Sequence, residues 1–131
     1  MKIILDTSAA IEVVLGRSYS KQIIERLSNA DWVIAPDVYI AEVTNVFWKY
    51  YQFGDLSIES CKKGIENALS IVDDIISSKE LHQEAFALSC LGKQPVYDTL
   101  FLVLARRNNG ILLTLDKKLS KLARKNSIIV E

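Results

Sequence analysis

The stretch Lys2-Ile3-Ile4-Leu5-Asp6-Thr7-Ser8 decides the fold. Its apolar run from Lys2 to Leu5 has the length of a buried strand. The polar residues that follow are typical of a helix N-terminus, where Thr7 or Ser8 can act as the cap. The sequence therefore predicts a buried strand that leads directly into a helix, with Asp6 at the junction.

Short apolar runs alternate with helical patterns along the rest of the chain. Strands are predicted at 2–5, 32–35, 75–77, 111–114 and 128–130. Helices are predicted after Ser8 and at 18–28, 37–53, 57–73, 79–91, 99–107 and 117–125. Continuously apolar strands separated by helices are typical of a parallel sheet that is covered on both faces. The pattern predicts the α/β class: a three-layer α/β/α sandwich with a central, mostly parallel sheet, in one domain that covers residues 1–131.

Composition excludes several classes of protein. Half of the 131 residues are apolar and 24% are charged, which is typical of a packed domain rather than a disordered chain. Asp6 and Glu12 interrupt the N-terminal apolar run before a secretory or membrane-spanning segment could form. We therefore expect a cytoplasmic protein with no membrane partner.

The cysteines do not form a metal-binding pattern. Cys61 and Cys90 lack CxxC spacing, and each lies in an apolar helical pattern that favours a buried, reduced thiol. His82 is the single histidine, so a zinc site made of thiolate and imidazole ligands is not expected.

Four acidic residues occupy positions that a parallel sheet would bring together. Asp6 and Asp116 follow apolar strands, whereas Glu42 and Asp98 lie in the N-terminal halves of predicted helices. Each acid alone has an ordinary explanation as a helix cap or a solvated side chain. Ligands of open parallel sheets bind beyond the carboxyl ends of the strands, however, so all four side chains could converge there.

Convergence of these acids requires a cation. Two carboxylates about 4 Å apart repel each other by roughly 4 kcal/mol at an effective dielectric constant near 20. Several such pairs would cost as much as the whole stability of a small domain. Oxygen ligands that retain several waters select Mg²⁺ (or Mn²⁺), and such a site activates water and stabilises the charge of a reacting phosphate.

Other phosphate-binding patterns fit less well. The chain has no GxxxxGK[ST] motif. A haloacid-dehalogenase-like phosphatase would have a second aspartate where Ser8 stands. A response-regulator receiver would have an acidic pair after the first strand, a phosphoacceptor in mid-chain and a late lysine, and this combination is absent.

Four segments resemble the PIN-domain ribonucleases and, within them, the VapC-type toxins of toxin-antitoxin pairs. They occur in the family's order across nearly the whole chain: Leu5-Asp6-Thr7-Ser8, Pro36 to Glu42 with Asn45, Tyr97-Asp98-Thr99 with Leu104-Ala105, and Thr114-Leu115-Asp116-Lys117-Lys118-Leu119. The sequence has Thr99 where the family more often has alanine, and Leu115 where a small residue is common. These departures remove no acid and concern the shape of the pocket floor.

The resemblance implies a Mg²⁺- or Mn²⁺-dependent endoribonuclease. It implies an RNA substrate, a homodimer and a cognate antitoxin protein as partners. Asp6, Glu42 and Asp98 carry over as the core metal-binding and catalytic acids, with Asp116 as the fourth. It also implies supporting polar residues, namely Thr7, Ser8, Asn45 and Thr114. Two alternatives remain open: a non-catalytic PIN-like module that binds RNA or protein, and a DNA or structure-specific nuclease.

Two further features gain a possible function from this resemblance. The formal net charge is zero, but residues 99–131 contain seven basic and two acidic residues. Without the resemblance these charges would be solvated helix faces; with it, Lys117 and Lys118 become candidate RNA contacts. The segment from Phe47 to Phe53 holds five aromatic residues in seven, too many for one core, so some are expected at a dimer or antitoxin interface.

Overall fold

The computed structural model describes residues 1–131 and contains five strands and seven helices. In chain order these are β1 (Lys2–Leu5), α1 (Thr7–Val14), α2 (Ser20–Ser28), β2 (Trp32–Pro36), α3 (Val38–Phe53), α4 (Ile58–Ile71), β3 (Asp74–Ile76), α5 (Ser78–Gly92), α6 (Val96–Asn108), β4 (Ile111–Leu113), α7 (Lys117–Lys125) and β5 (Ile129–Val130). Every predicted strand and helix is therefore present, and the bounds differ by a few residues.

The strands form one fully parallel sheet with the order β3-β2-β1-β4-β5. β1 is the central strand, with Ile4 opposite Ile34 on one side and Leu112 on the other. All three side chains are completely buried, because a central parallel strand has helices over both faces. The predicted three-layer α/β/α sandwich is confirmed.

Helix α6 is the most deeply buried helix. It contacts β1, β2 and β4, and α5 packs against its outer side. Its residues from Thr99 to Ala105 are buried without interruption, as expected of a helix between the sheet and another helix.

A tight connection sets the direction of α6. The helix ends at Asn109, whose φ of 49° is left-handed, and the amide of Gly110 bonds the carbonyl of Ala105 at 2.9 Å. A Cβ atom on Gly110 would lie 2.3 Å from Cδ1 of Ile4 and 3.3 Å from the carbonyl oxygen of Lys2, so a larger residue here would have to displace the end of the Ile4 side chain. Because the turn leads straight into β4, the other end of α6 lies at the carboxyl edge of the sheet.

Two predicted helix starts are wrong. The cap of α1 is Asp6, whose side chain accepts a hydrogen bond from the amide of Ser8; neither Thr7 nor Ser8 caps the helix. Helix α6 begins at Val96 after Pro95, so Asp98 lies inside the first turn and does not cap it. Proline is well suited to a helix start because its fixed φ is compatible with helix geometry.

The cysteine prediction is half right. Cys61 is buried as a free thiol, and its Sγ donates to the carbonyl of Phe47 at 3.3 Å. Cys90 is exposed, because its position on α5 faces away from α6.

The aromatic segment divides between core and surface. Phe47 is buried, whereas Trp48, Tyr51 and Phe53 are exposed.

None of the seven helices combines the length and the apolar character that crossing a membrane requires.

Candidate functional site

Strand register brings the first pair of polar residues together. Leu5 of β1 lies opposite Leu113 of β4, and both strands end there. The next residues, Asp6 and Thr114, are therefore neighbours at the carboxyl edge of the sheet. The hydroxyl of Thr114 donates to Oδ2 of Asp6 at 2.7 Å.

The carboxylate of Asp6 is firmly oriented. Its Oδ2 atom accepts three hydrogen bonds: from the hydroxyl of Thr114, from the hydroxyl of Ser8 at 2.6 Å and from the amide of Ser8 at 3.3 Å. Its Oδ1 atom accepts none. Thr114 also accepts from the amide of Asp116 at 3.0 Å, so the loops after β1 and β4 are joined through one hydroxyl.

Glu42 is oriented by the helix that follows Asp6. It lies in the second turn of α3, which starts where β2 ends, and its Oε1 atom accepts from the hydroxyl of Thr7 at 2.8 Å. Asn45, one turn further along α3, also faces the cavity that Glu42 lines, and its side chain makes no hydrogen bond within the protein.

The other two acids come from the C-terminal half of the chain. Asp98 lies in the first turn of α6, half-buried and without a hydrogen bond to its carboxylate. Asp116 is exposed and caps α7, because its Oδ1 atom accepts from the amides of Lys118 at 2.9 Å and Leu119 at 3.1 Å.

One open cavity of about 490 Å³ contains all four acids. Its lining also includes Ser8 and Leu115, but Thr99 packs elsewhere, donating to the carbonyl of Ala85 between α5 and α6. Of the two departures from the resembled family, only Leu115 therefore affects the shape of this cavity. The complete lining is Asp6, Thr7, Ser8, Ile11, Glu12, Arg17, Glu42, Asn45, Val46, Asp98, Leu115 and Asp116.

Three of the acids hold their protons more strongly than usual. Burial raises the pKa of Glu42 to about 7, and the charges of Asp6, Asp98 and Asp116 contribute, although the Thr7 hydroxyl opposes them. Burial also raises the pKa of Asp6, despite the hydrogen bonds from Ser8 and Thr114. The pKa of Asp98 is raised by burial first and then by Asp116 and Asp6, while the Lys118 ammonium lowers it in part. The four carboxylates therefore act on one another electrostatically.

No basic side chain forms an ion pair with these four acids. The structure has three ion pairs, and none involves the four acids. Asp6, Glu42 and Asp116 each keep one carboxylate oxygen that receives no hydrogen bond from the protein, and Asp98 keeps both. Free carboxylate oxygens on several chain segments are the donor set that a hard divalent cation requires.

The arrangement is not a ready-made coordination shell. No three acidic, histidine or cysteine side chains lie close enough together to hold an ion without moving. Glu42 and Asp98 are the least constrained members, because one hydrogen bond orients Glu42 and none orients the Asp98 carboxylate. The donor chemistry therefore fits a divalent ion, and rotation of these side chains toward Asp6 would complete its shell.

Sequence reasoning missed two charged residues of the cavity. Arg17 is the single basic residue in the lining; its guanidinium donates to the hydroxyl of Tyr50 at 2.5 Å and lies 5.4 Å from the centre of that ring. Glu12 fixes the loop that carries Arg17 by accepting from the amide of Tyr19 at 2.9 Å. Both belong to α1 or the loop after it, where no motif marked them.

The structure separates the two lysines predicted to contact RNA. Both are exposed, but only Lys118 lines a cavity, which lies between α5 and α7 and is distinct from the acidic one. Lys117 lines neither of these two cavities.

Comparison with known proteins identifies a family and a similar sequence. The sequence pattern of the PIN domain matches residues 3–125. Ribonuclease VapC3 from Pyrobaculum aerophilum is 29% identical over 123 residues, which are 92% of this chain and 94% of that protein.

Two solved structures share the fold. The crystal structure of a Pyrobaculum aerophilum protein superposes with a TM-score of 0.76 at 19% identity, over 99% of this chain and 83% of that one. The VapBC2 complex from Rickettsia felis, bound to a promoter DNA fragment, contains a chain that superposes with a TM-score of 0.69 at 16% identity, over 100% and 98% of the two chains.

Proposed function

Because the chain belongs to the PIN domain family, we propose that it is a metal-dependent endoribonuclease that hydrolyses RNA phosphodiester bonds and serves as the toxin of a toxin-antitoxin pair. The observation that carries the proposal is the cavity in which Asp6, Glu42, Asp98 and Asp116 lie together without a cationic partner. The 29% identity to a ribonuclease of the VapC group along nearly the whole chain supports the choice of RNA.

Each acid has a separate part in this proposal. Asp6, held by Ser8 and Thr114, is the fixed ligand of Mg²⁺ or Mn²⁺. Glu42 and Asp98 are the adjustable ligands. Asp116 is the outermost ligand, since one of its oxygens is already occupied by the amides of α7.

The chemistry is hydrolysis without a protein nucleophile. A water oxygen bonds to phosphorus, the ester P–O bond breaks, and the departing oxygen takes up a proton. A bound divalent ion supplies Lewis acidity, which acidifies water and neutralises the charge of the phosphate. The hydroxyl of Thr7 orients the carboxylate of Glu42, and the hydroxyls of Ser8 and Thr114 orient that of Asp6. The side-chain amide of Asn45 makes no hydrogen bond within the protein and can bind the substrate or the attacking water.

Arg17 is positioned to bind the phosphate of the substrate. Its guanidinium is held by Tyr50 and has no carboxylate partner, although it borders a cavity with five acidic residues. A guanidinium held in this way can form paired hydrogen bonds with phosphate oxygens.

The primary test is RNA cleavage by the purified protein with Mn²⁺, with Mg²⁺ and with a chelator. We expect cleavage only with metal, and we expect Asp98→Asn to lower kcat by about 100-fold or more, since even indirect partners of a metal are worth 10–100-fold. The matched control is Asp55→Asn, which removes an exposed acid outside the cavity. Cleavage that continues in the chelator, or equally in Asp98→Asn, would contradict the proposal.

Parallel assays separate the alternatives. Cleavage of DNA in preference to RNA would favour a DNA nuclease, and RNA binding without cleavage under any metal would favour a binding module. The toxin assignment predicts that expression arrests growth of a bacterial host, that Asp98→Asn relieves the arrest, and that the product of a neighbouring gene does so too. The homodimer, the cytoplasmic location and the single nuclease domain at residues 1–131 belong to the same proposal.

A further inference from the structure

A second cavity, of about 460 Å³, lies between the C-terminal end of α5 and helix α7. Its lining contains three lysines and no acidic residue. We call it the basic groove and define it by Lys118, Lys121 and Lys125 on α7 and by Leu88 and Leu91 on α5. The amide side chains of Gln94 and Asn126 complete its polar wall.

The three lysines form a continuous row. They are spaced three and four residues apart, so they share one face of α7 and extend along about 10 Å of the helix. None of them belongs to an ion pair. The row is therefore an uncompensated strip of positive charge that is available to a polyanion.

The basic groove begins where the acidic cavity ends. The backbone amide of Lys118 donates to Oδ1 of Asp116, while its side chain lines the groove. The Lys118 ammonium is also close enough to Asp98 to act on its charge. Regions of opposite charge thus meet at the first turn of α7.

We propose that the basic groove binds the backbone of a single RNA strand immediately beside the phosphate that is cleaved, and this inference rests on the proposed ribonuclease function. The acidic cavity repels a polyanion, so the affinity for the strand must come from outside it. A row of about 10 Å covers about three nucleotides of a stacked strand at roughly 3.4 Å each. Leu91, 85% exposed, offers an apolar surface against which a base can pack.

A single strand fits the groove better than a duplex or an acidic protein segment does. The groove lies between two helices, with its three lysines on α7 and the exposed Leu91 on α5, so phosphates and bases of one unpaired strand can bind to different parts of it. An acidic peptide would leave the exposed apolar surface of Leu91 without a matching partner.

The decisive experiment measures RNA affinity as a function of salt in a chelator. The probe is a fluorescently labelled, single-stranded RNA of mixed sequence. The groove variant is Lys121→Gln/Lys125→Gln, and the control is Lys62→Gln/Lys63→Gln, which removes the same charge from exposed positions of α4 outside the groove. Each phosphate contact on a single strand contributes about 0.7 to the slope of log affinity against log salt. We expect the groove variant to lose about 1.4 from that slope and the control to keep the wild-type slope.

A cleavage experiment connects the groove to the reaction. We expect the groove variant to raise KM for a long RNA and to leave kcat unchanged for an RNA too short to extend beyond the acidic cavity. Absence of cleavage by the wild-type protein as well as by both variants would contradict the ribonuclease proposal, but the salt slopes would still decide about the groove. Thermal unfolding verifies that both double variants are folded.

Two results would overturn the inference. One is a groove variant whose slope equals that of wild type, or a control whose slope falls as much as that of the groove variant. The other is an acidic peptide that competes with the RNA at equal concentration and loses its affinity in the groove variant, which would assign the groove to a protein partner.

Discussion

The four carboxylates of the cavity are held in different ways, and this determines what each substitution does. Asp6 is buried and accepts three hydrogen bonds on one oxygen, whereas Asp116 is exposed and caps a helix. Glu42 lies between these extremes, partly buried with one hydrogen bond. Loss of activity and loss of stability should therefore separate from one residue to the next.

Glu42 should make the metal-free protein less stable as pH rises. Its pKa is about 7 in the folded state against 4.5 ordinarily, so folding binds its proton more tightly. The resulting stabilisation is complete below pH 4.5 and is lost as pH rises to about 7, where the buried carboxylate ionises.

Glu42→Gln tests this expectation, because glutamine cannot ionise but can still accept from Thr7. Discounted for solvent screening, the variant should be more stable than wild type by about 1–2 kcal/mol at pH 8 and nearly equal at pH 5. Urea unfolding in a chelator measures both values. The exposed control Glu66→Gln should show no such pH dependence, and a constant difference for Glu42→Gln would rule out ionisation as the cause.

Asp116 should show separate effects on folding and on catalysis. Asp116→Ala removes the cap of α7 and should cost about 1 kcal/mol, whereas Asp116→Asn keeps a cap and should cost only a few tenths. Both should reduce RNA cleavage, because neither supplies a carboxylate. Urea unfolding and cleavage rates on the same preparations test this, and full activity in Asp116→Asn would show that the residue is only a cap.

Among single residues, the sequence indicated the four acids and the supporting polar residues Thr7, Ser8, Asn45 and Thr114, but not Arg17. Asp6 could be found because it directly follows an apolar strand, and Asp116 because it lies three residues after another. The carboxyl ends of neighbouring parallel strands lie at the same edge of the sheet. Arg17 could not be found, since it lies in the loop after α1, where no periodicity indicates direction. Its position depends on a long-range contact with Tyr50, which becomes visible only after folding.

Helices α3 and α4 are packed so closely that one glycine decides their separation. A Cβ atom on Gly64 of α4 would lie 2.5 Å from the ring of Phe47 on α3, and Phe47 is completely enclosed. Gly64→Ala should therefore destabilise the protein by about 1–3 kcal/mol, despite the better helix propensity of alanine.

Gly92 provides the matched control for this substitution. Its Cβ atom would meet nothing closer than 3.8 Å, so Gly92→Ala at the end of α5 should be neutral or stabilising by up to about 1 kcal/mol. Urea unfolding of both variants compares the two helices directly. Equal effects would show that α3 and α4 separate freely and that the contact does not fix their distance.

The elements themselves were predictable from the alternation of apolar runs and helical patterns, but some of their ends were not. The sequence predicts this helix over 99–107, because Gly92 to Pro95 interrupt the apolar pattern. In the structure the helix starts directly after Pro95, and Asp98 enters the first turn. The exposure of single side chains was harder to predict than the ends of helices. Cys90 lies in an apolar pattern, yet the packing of α5 against α6 leaves it on the outer face.

The order of the strands explains why the site lies where it does. From β1 the chain proceeds outward through β2 to β3, and β4 then returns to the opposite side of β1. In open parallel sheets the binding crevice forms at such a reversal. Asp6 follows β1 and Asp116 follows β4, so these two acids flank the crevice. Helix α3 adds Glu42 from its second turn, and α6 adds Asp98 from its first turn.

The whole molecule should be stabilised by the ion that its acids are proposed to hold. Binding to the folded state alone contributes about 2.7 kcal/mol at a ligand concentration 100 times Kd, or a rise of about 10 °C in Tm for a chain of this size. The rise should shrink in acid, because the pKa values of Glu42, Asp6 and Asp98 are raised and protons then compete with the ion. Thermal unfolding with Mn²⁺ at pH 7.5 and 5.5 measures both effects, with potassium chloride at equal ionic strength as the control. Asp98→Asn should lose most of the rise. If Mn²⁺ raised the Tm of Asp98→Asn as much as that of wild type, the ion would bind elsewhere on the surface and the four acids would not form the metal site.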